Sequence, residues 1–144
     1  MALEKQFRLN KEARQKLLAQ AKKLLSRRTE ILFAYAFGSS LSSLPCRDLD
    51  IGVYVEEDAL GEEKALDYEL SLGVEMEKVL RLPVDVKVLN HVPVPLGYMA
   101  SKGRLLFSRA EETRFSWLET TWDRYFDMQY FLKSSLDDLL FPGE

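Results

Sequence analysis

The sequence predicts an α/β (α+β) chain in which a small mixed sheet is backed by helices and followed by one long C-terminal helix. Three observations predict it. Two apolar runs of strand length, one from Ile31 to Phe37 and one starting near Asp48, flank a Gly-Ser turn and a polar loop. A third short run, Pro83-Val84-Asp85-Val86-Lys87-Val88, alternates apolar and polar residues as a half-buried strand does. Around these runs, apolar residues recur at helical spacing, most persistently over 111–140. At 144 residues the chain suits one domain, 1–144, with its own core. Its 47% hydrophobic content is that of a globular chain rather than a disordered one.

Taken in order, the first helix is expected from Asn10, a good N-cap, with Glu12 in its first turn and Arg27 and Arg28 near its end. Ala13, Leu17, Ala21, Leu24 and Leu25 mark its apolar face. The strand–turn–strand unit comes next. Alternation on the second strand sends Leu49, Ile51, Val53 and Val55 to one face and Asp48, Asp50, Gly52 and Tyr54 to the other. Two carboxylates one strand repeat apart repel each other unless a cation sits between them. Hard oxygen donors on a rigid strand suit Mg²⁺, which takes its remaining ligands from water and substrate phosphates. The turn Gly38-Ser39 can offer backbone N–H groups and a hydroxyl to those phosphates. Ser40, Ser42 and Ser43 keep the following loop polar, and Pro45 limits it.

Either motif alone says little: Asp-x-Asp also occurs in glycosyltransferases and calcium loops, and Gly-Ser is usually just a turn. Their order, strand–Gly-Ser–loop–Asp-x-Asp–strand, is far more specific, and Asp85 on the polar face of the third strand completes it. Glu56-Glu57-Asp58 reads as a solvated turn. A helix follows from about Glu62 to Leu80, with Leu66, Leu70, Val74 and Leu80 expected on its buried side. In the third strand Val84, Val86 and Val88 pack inward, leaving Asp85 and Lys87 together; Lys87 either screens phosphate charge or pairs with a carboxylate. Val92-Pro93-Val94-Pro95 reads as an extended linker, Leu96 to Ser101 as a short helix, and Arg104–Phe107 as a fourth strand after Gly103. Lys102 and Arg104 lie where phosphates could be reached, although surface cations are the simpler reading. Ser108-x-x-Glu111 is a capping-box signature for the last helix. Positions 115, 118, 122, 125, 129, 132, 136 and 139 form an apolar seam on it, expected to pack on the sheet. Trp117, Phe126, Met128, Tyr130 and Phe131 fall partly outside that seam, so the helix is also expected to contact a partner or a second copy.

The residues Phe37-Gly38-Ser39, Asp48-Leu49-Asp50 and Asp85 resemble the motif set of the DNA polymerase β-like nucleotidyltransferases, in particular their minimal single-domain branch. The strand Gly103–Ser108 and the long helix after it look like those of the MntA-type antitoxins paired with HEPN-family toxins. The resemblance implies transfer of AMP from ATP to a hydroxyl, a tyrosine of the toxin. It implies two Mg²⁺ ions at Asp48, Asp50 and Asp85, with Asp85 toward the attacking hydroxyl, and Gly38 and Ser39 on the β- and γ-phosphates. The chain departs from the pattern in two places: only eight residues separate Ser39 from Asp48, and Arg47 stands where a Ser is usual. Three other functions stay open: a small-molecule nucleotidyltransferase of the aminoglycoside-modifying kind, for which the chain has little room for an additional substrate domain; a nucleic-acid polymerase, whose basic track and extra domains are not visible; and an antitoxin that masks its toxin by binding alone.

Composition excludes several classes. One cysteine, Cys46, and one histidine, His91, leave no disulfide, no His-based triad and no Cys/His zinc site. The N-terminus has no signal-peptide core, and no run approaches the ~20 apolar residues of a membrane span, so a cytoplasmic protein is expected. The net charge of −3 offers nucleic acid no general attraction. It is unevenly spread: residues 1–30 carry nine Lys/Arg against three Glu, and residues 111–144 carry three Lys/Arg against eight acids.

Overall fold

The computed structural model describes residues 2–38, 48–141 and 143, with side chains from Lys11 onward. Its elements are α1 (Ala2–Ser26), β1 (Ile31–Phe37), β2 (Leu49–Val55), α2 (Ala65–Leu80), β3 (Val84–Val88), α3 (Val94–Ser101), β4 (Arg104–Ser108) and α4 (Glu111–Leu140). The strands form one sheet in the order β3-β2-β1-β4. β1 runs antiparallel to β2 and β4, while β2 and β3 are parallel, so the sheet is mixed as the sequence predicts. The parallel pair follows from the crossover through α2, which is long enough to return the chain to the same end of the sheet.

One sheet face carries the main core. Leu49, Ile51, Val53 and Val55 from β2 and Val84, Val86 and Val88 from β3 are all buried there with Ala34 and Ala36 of β1. Helices α1 and α2 cover them through Leu18, Ala21, Leu25, Leu72, Met76 and Leu80. Burying a Leu or Val side chain contributes about 1.5–3 kcal/mol, so this face supplies most of the cohesion. The other face holds Phe33, Tyr35, Phe37 and Tyr54, closed by Leu89, Ala100 and Trp117. Trp117 lies 5.5 Å from the Phe33 ring and 5.9 Å from Tyr35, and Phe33 stacks on Tyr54 at 4.8 Å.

Several expectations are corrected. Helix α1 begins at Ala2, not at Asn10, because Ala-Leu-Glu-Lys-Gln are themselves good helix formers and nothing before Asn10 stops the helix. On its core side Ala13 is exposed and Leu18 is buried instead. In α2 the expected stripe is reversed: Leu66, Leu70 and Val74 are 64%, 61% and 52% exposed, and Leu72, Gly73 and Met76 face the core beside Leu80. The side with the smallest residue won, since Gly73 lets the helix backbone approach β3; a Cβ there would stand 3.2 Å from the Val84 carbonyl oxygen. Val94 and Pro95 open α3 rather than forming a linker, Pro95 being tolerated in a first helical turn. Helix α4 starts at Glu111 with Ala110 at its N-cap and no side-chain cap, so the Ser108 capping box does not form.

The seam on α4 is also corrected. Trp117 packs on the sheet and Arg114 donates to the Tyr35 hydroxyl at 2.9 Å; Thr121 is the most buried position of the helix, which also packs on α3. Tyr125 stacks face to face on Tyr98 of α3 with ring centres 3.6 Å apart. Phe115, Trp122, Gln129, Leu132, Leu136 and Leu139, six of the eight seam positions, are exposed. Beyond Met128 every large apolar side chain of the helix is exposed.

Candidate active site

Sheet pairing brings the sequence-predicted residues into one row. Phe37, the last residue of β1, pairs with Asp50 of β2, and Asp50 pairs with Asp85 of β3. The chain turns out of β1 at Gly38, so the turn and two carboxylates stand on neighbouring strands about 5 Å apart. Asp48 stands just before β2 and is exposed; Asp50 is half-buried, and Asp85 is exposed. Gly38 has φ of +78°, a left-handed conformation that glycine adopts without strain. A Cβ there would meet the Asp50 carboxylate at 2.5 Å, so the backbone of the turn lies directly against that carboxylate. Ser39, Cys46 and Arg47 lie outside the described residues.

The electrostatics follow from this crowding. Burial pushes the Asp50 carboxyl above its ordinary range, and the negative charges of Asp48 and Asp85 push it further; Lys87 acts in the opposite direction. The Lys87 ammonium is 3.7 Å from Asp85 Oδ1, which places it with a carboxylate, one of the two partners the sequence allows. Asp85 is exposed and Lys87 half-buried, and solvent reaches both groups, so this ion pair is a weak one. Among the described residues, no three acidic, His or Cys side chains already converge as a metal cluster. The donor set nevertheless fits a hard divalent cation: it offers only carboxylate oxygens, and their mutual repulsion on Asp50 is what a cation would relieve.

Two neighbours of the site were not singled out from sequence. Leu89, in the short 3-10 turn after β3, sits over Gly52, where a Cβ would lie 2.7 Å from its Cδ2 atom. It packs with the aromatic cluster of the same sheet face, which reaches Asp50 through the paired Phe37. Gly103 lies so close to Ala36 and Phe37 that a Cβ would overlap them, which draws β4 against the strand that ends at Gly38. The pairing then sets Arg104 beside Ala36 and leaves it exposed, while the Lys102 ammonium sits over the Tyr98 ring. The signal for both glycines was present in the sequence, but what they touch depends on strand order.

A cavity of about 650 Å³ lies elsewhere among the described residues. It lies between the Leu89–His91 turn, α3 and α4, over Tyr54 and Trp117, with Glu57, Glu112 and Arg124 on its walls. Tyr54 is four residues along β2 from Asp50, roughly 13 Å away at strand spacing. The open row of aspartates and this hollow are therefore separate places on the molecule.

Solved structures share the fold. A chain of the MntA–HepT toxin–antitoxin complex superposes with a TM-score of 0.64 at 21% identity, covering 88% of this chain and 98% of that one. A chain from the tri-AMPylated HEPN toxin of Shewanella oneidensis in complex with its MNT antitoxin gives 0.66 at 21%, with the same coverage. A toxin–antitoxin structure with AMP-PNP gives 0.64 at 20%, covering 85% and 96%. No curated protein sequence matches the chain. The family model described as polymerase beta, nucleotidyltransferase matches residues 19–112, well over half of the chain and the whole of the row from Gly38 to Asp85. The chain belongs to the polymerase β nucleotidyltransferase family.

Proposed function

We infer that this chain, as one nucleotidyltransferase domain spanning 1–144, moves AMP from ATP to a tyrosine hydroxyl of a HEPN-family toxin and so acts as the toxin's antitoxin in the cytoplasm. The observation that carries the reading is the row itself: a glycine turn pressed on Asp50, with Asp85 opposite on the next strand. The similar structures support the partner and the nucleotide, since they include a tri-AMPylated HEPN toxin with an MNT antitoxin and a complex with AMP-PNP. Among the described residues no helix is long and apolar enough to cross a membrane. The exposed end of α4 supports contact with another chain.

Asp48 and Asp50 would hold Mg²⁺, with Asp85 serving a second ion. Bound there, Mg²⁺ would neutralise the triphosphate and the charge that develops on the leaving pyrophosphate. The acceptor oxygen attacks the α-phosphorus, the bond to the β-phosphate oxygen breaks, and pyrophosphate leaves. Asp85 orients the hydroxyl and takes its proton. Backbone at Gly38, with Ser39 beside it, holds the β- and γ-phosphates. Such transfer depends on positioning and charge neutralisation more than on covalent chemistry; the acidic row would supply the neutralisation only through the cations it holds.

The test is transfer of label from α-labelled ATP to a HEPN protein encoded beside this chain. Asp50→Asn is expected to abolish transfer, and Asp85→Asn to lower turnover far more than ATP affinity. Full transfer by Asp50→Asn in the presence of Mg²⁺ would overturn the reading. Neutralisation of the toxin by both variants at wild-type strength would favour an antitoxin that works by binding alone.

A further inference from the structure

The exposed side of α2 borders the row of aspartates. Leu66, Leu70 and Val74 recur every fourth residue and are each more than half exposed, while the opposite side of the helix is buried. Scattered exposed leucines need no explanation, but an uninterrupted stripe does. Between this stripe and β3 runs a groove of about 130 Å³. Gly73 lies along its floor, Glu69 and Glu77 line it, and it reaches Asp85 and Lys87. That volume holds one or two side chains and is too small for a drug-sized ligand, whose pockets run to about 300–1,000 Å³.

We propose that this groove is where the acceptor protein docks, an apolar segment flanked by Lys or Arg lying along Leu66, Leu70 and Val74 so that its hydroxyl reaches Asp85. The proposal rests on the reading that the acceptor is a protein. Three observations select this occupant. A hydroxyl can reach Asp85 only if the molecule carrying it rests on the surface around Asp85, and the groove is part of that surface. The stretch 62–80 carries six acidic residues and two lysines, so a basic flank is complementary. Strand addition is the third consideration. β3 is an edge strand, yet the Val84 N–H already donates to Glu77 Oε1 at 2.9 Å and the Val88 N–H to Glu69 Oε2 at 3.0 Å. With the edge donors at both ends of β3 occupied, side-chain engagement is favoured over extension of the sheet.

The test uses Leu66→Asp with Leu70→Asp, and a milder Leu66→Ser, Leu70→Ser pair, in the full chain. Both leucines are exposed, so melting temperature and ATP affinity are expected to match the wild type. Affinity for the HEPN protein is expected to fall at least about tenfold, and its KM as acceptor to rise by a similar factor. Unchanged affinity and KM would overturn the proposal. So would loss of self-association in sedimentation with acceptor binding intact, which would make the stripe a contact between two copies, and so would a wild-type chain that never binds the HEPN protein. If the wild type binds without transferring AMP and the variants stop binding, the groove stands and the chemical reading fails. If transfer proceeds equally in wild type and variants, the reverse holds.

Discussion

Asp50, in the role proposed for it, is held at a cost to the metal-free fold. Its carboxyl sits above the ordinary range through burial and the neighbouring charges of Asp48 and Asp85. The folded chain therefore binds that proton more tightly than the unfolded chain does. Stability falls as pH rises from the ordinary carboxylate range through the raised value, and at neutral pH the ionised group is a net burden. Asp50→Asn is expected to raise the melting temperature of the metal-free protein at pH 7. The gain should vanish below about pH 4, where the carboxyl is protonated in both states. Thermal melts across that range check it, and equal melting temperatures of the two proteins at pH 7 would contradict it. The three aspartates were legible in sequence because Asp-x-Asp on an alternating strand can face only one way. That Gly38 touches Asp50, or that Lys87 chooses Asp85, was not legible, since both depend on which strands lie side by side.

At the scale of elements, the helices were harder to read than the strands. In a half-buried strand the apolar face is unique, and Leu49, Ile51, Val53 and Val55 went where alternation sends them. Helix α2 carries two apolar tracks, and periodicity alone does not say which one meets the sheet; close approach at Gly73 decided it. Helix α4 misled for another reason: its seam continues past the surface available to it. The aromatic residue set aside from the seam, Trp117, is the one that packs on Phe33 and Tyr35. Trp117→Ala is therefore expected to cost about 3–5 kcal/mol. Phe131→Ser with Leu136→Ser, both on exposed positions, should change stability by no more than about 0.5 kcal/mol each. Urea denaturation separates these outcomes. If the exposed end of α4 contacts another chain, the second pair should also weaken that contact without lowering stability.

For the whole molecule, the sheet places the aspartates and the main aliphatic core on opposite faces. The aliphatic core binds α1 and α2 to one face, while the other face is shared between the aspartates and an aromatic cluster closed by α3 and α4. The row of aspartates can thus stay open and charged without thinning the main core. The join between α1, β1 and α2 is reinforced outside that core. Arg28 pairs with Glu75 and Glu30, and the Tyr68 hydroxyl donates to Glu30 at 2.8 Å.

The unsupported end of α4 bears on how long the molecule survives. A helix of 30 residues is about 45 Å long, and its last turns hold Tyr130, Phe131, Leu132, Leu136, Leu139 and Leu140 exposed. A segment with so few packed contacts opens locally at far lower free energy than the sheet does. Lys133, itself exposed, offers trypsin a cleavage point there. Limited digestion of the lone chain is expected to trim this end first, leaving a fragment that still contains every aspartate of the row and Trp117. A chain seated on the overhang would hide it. Persistence would then depend on occupancy, with the uncovered protein turned over quickly and the assembled one spared.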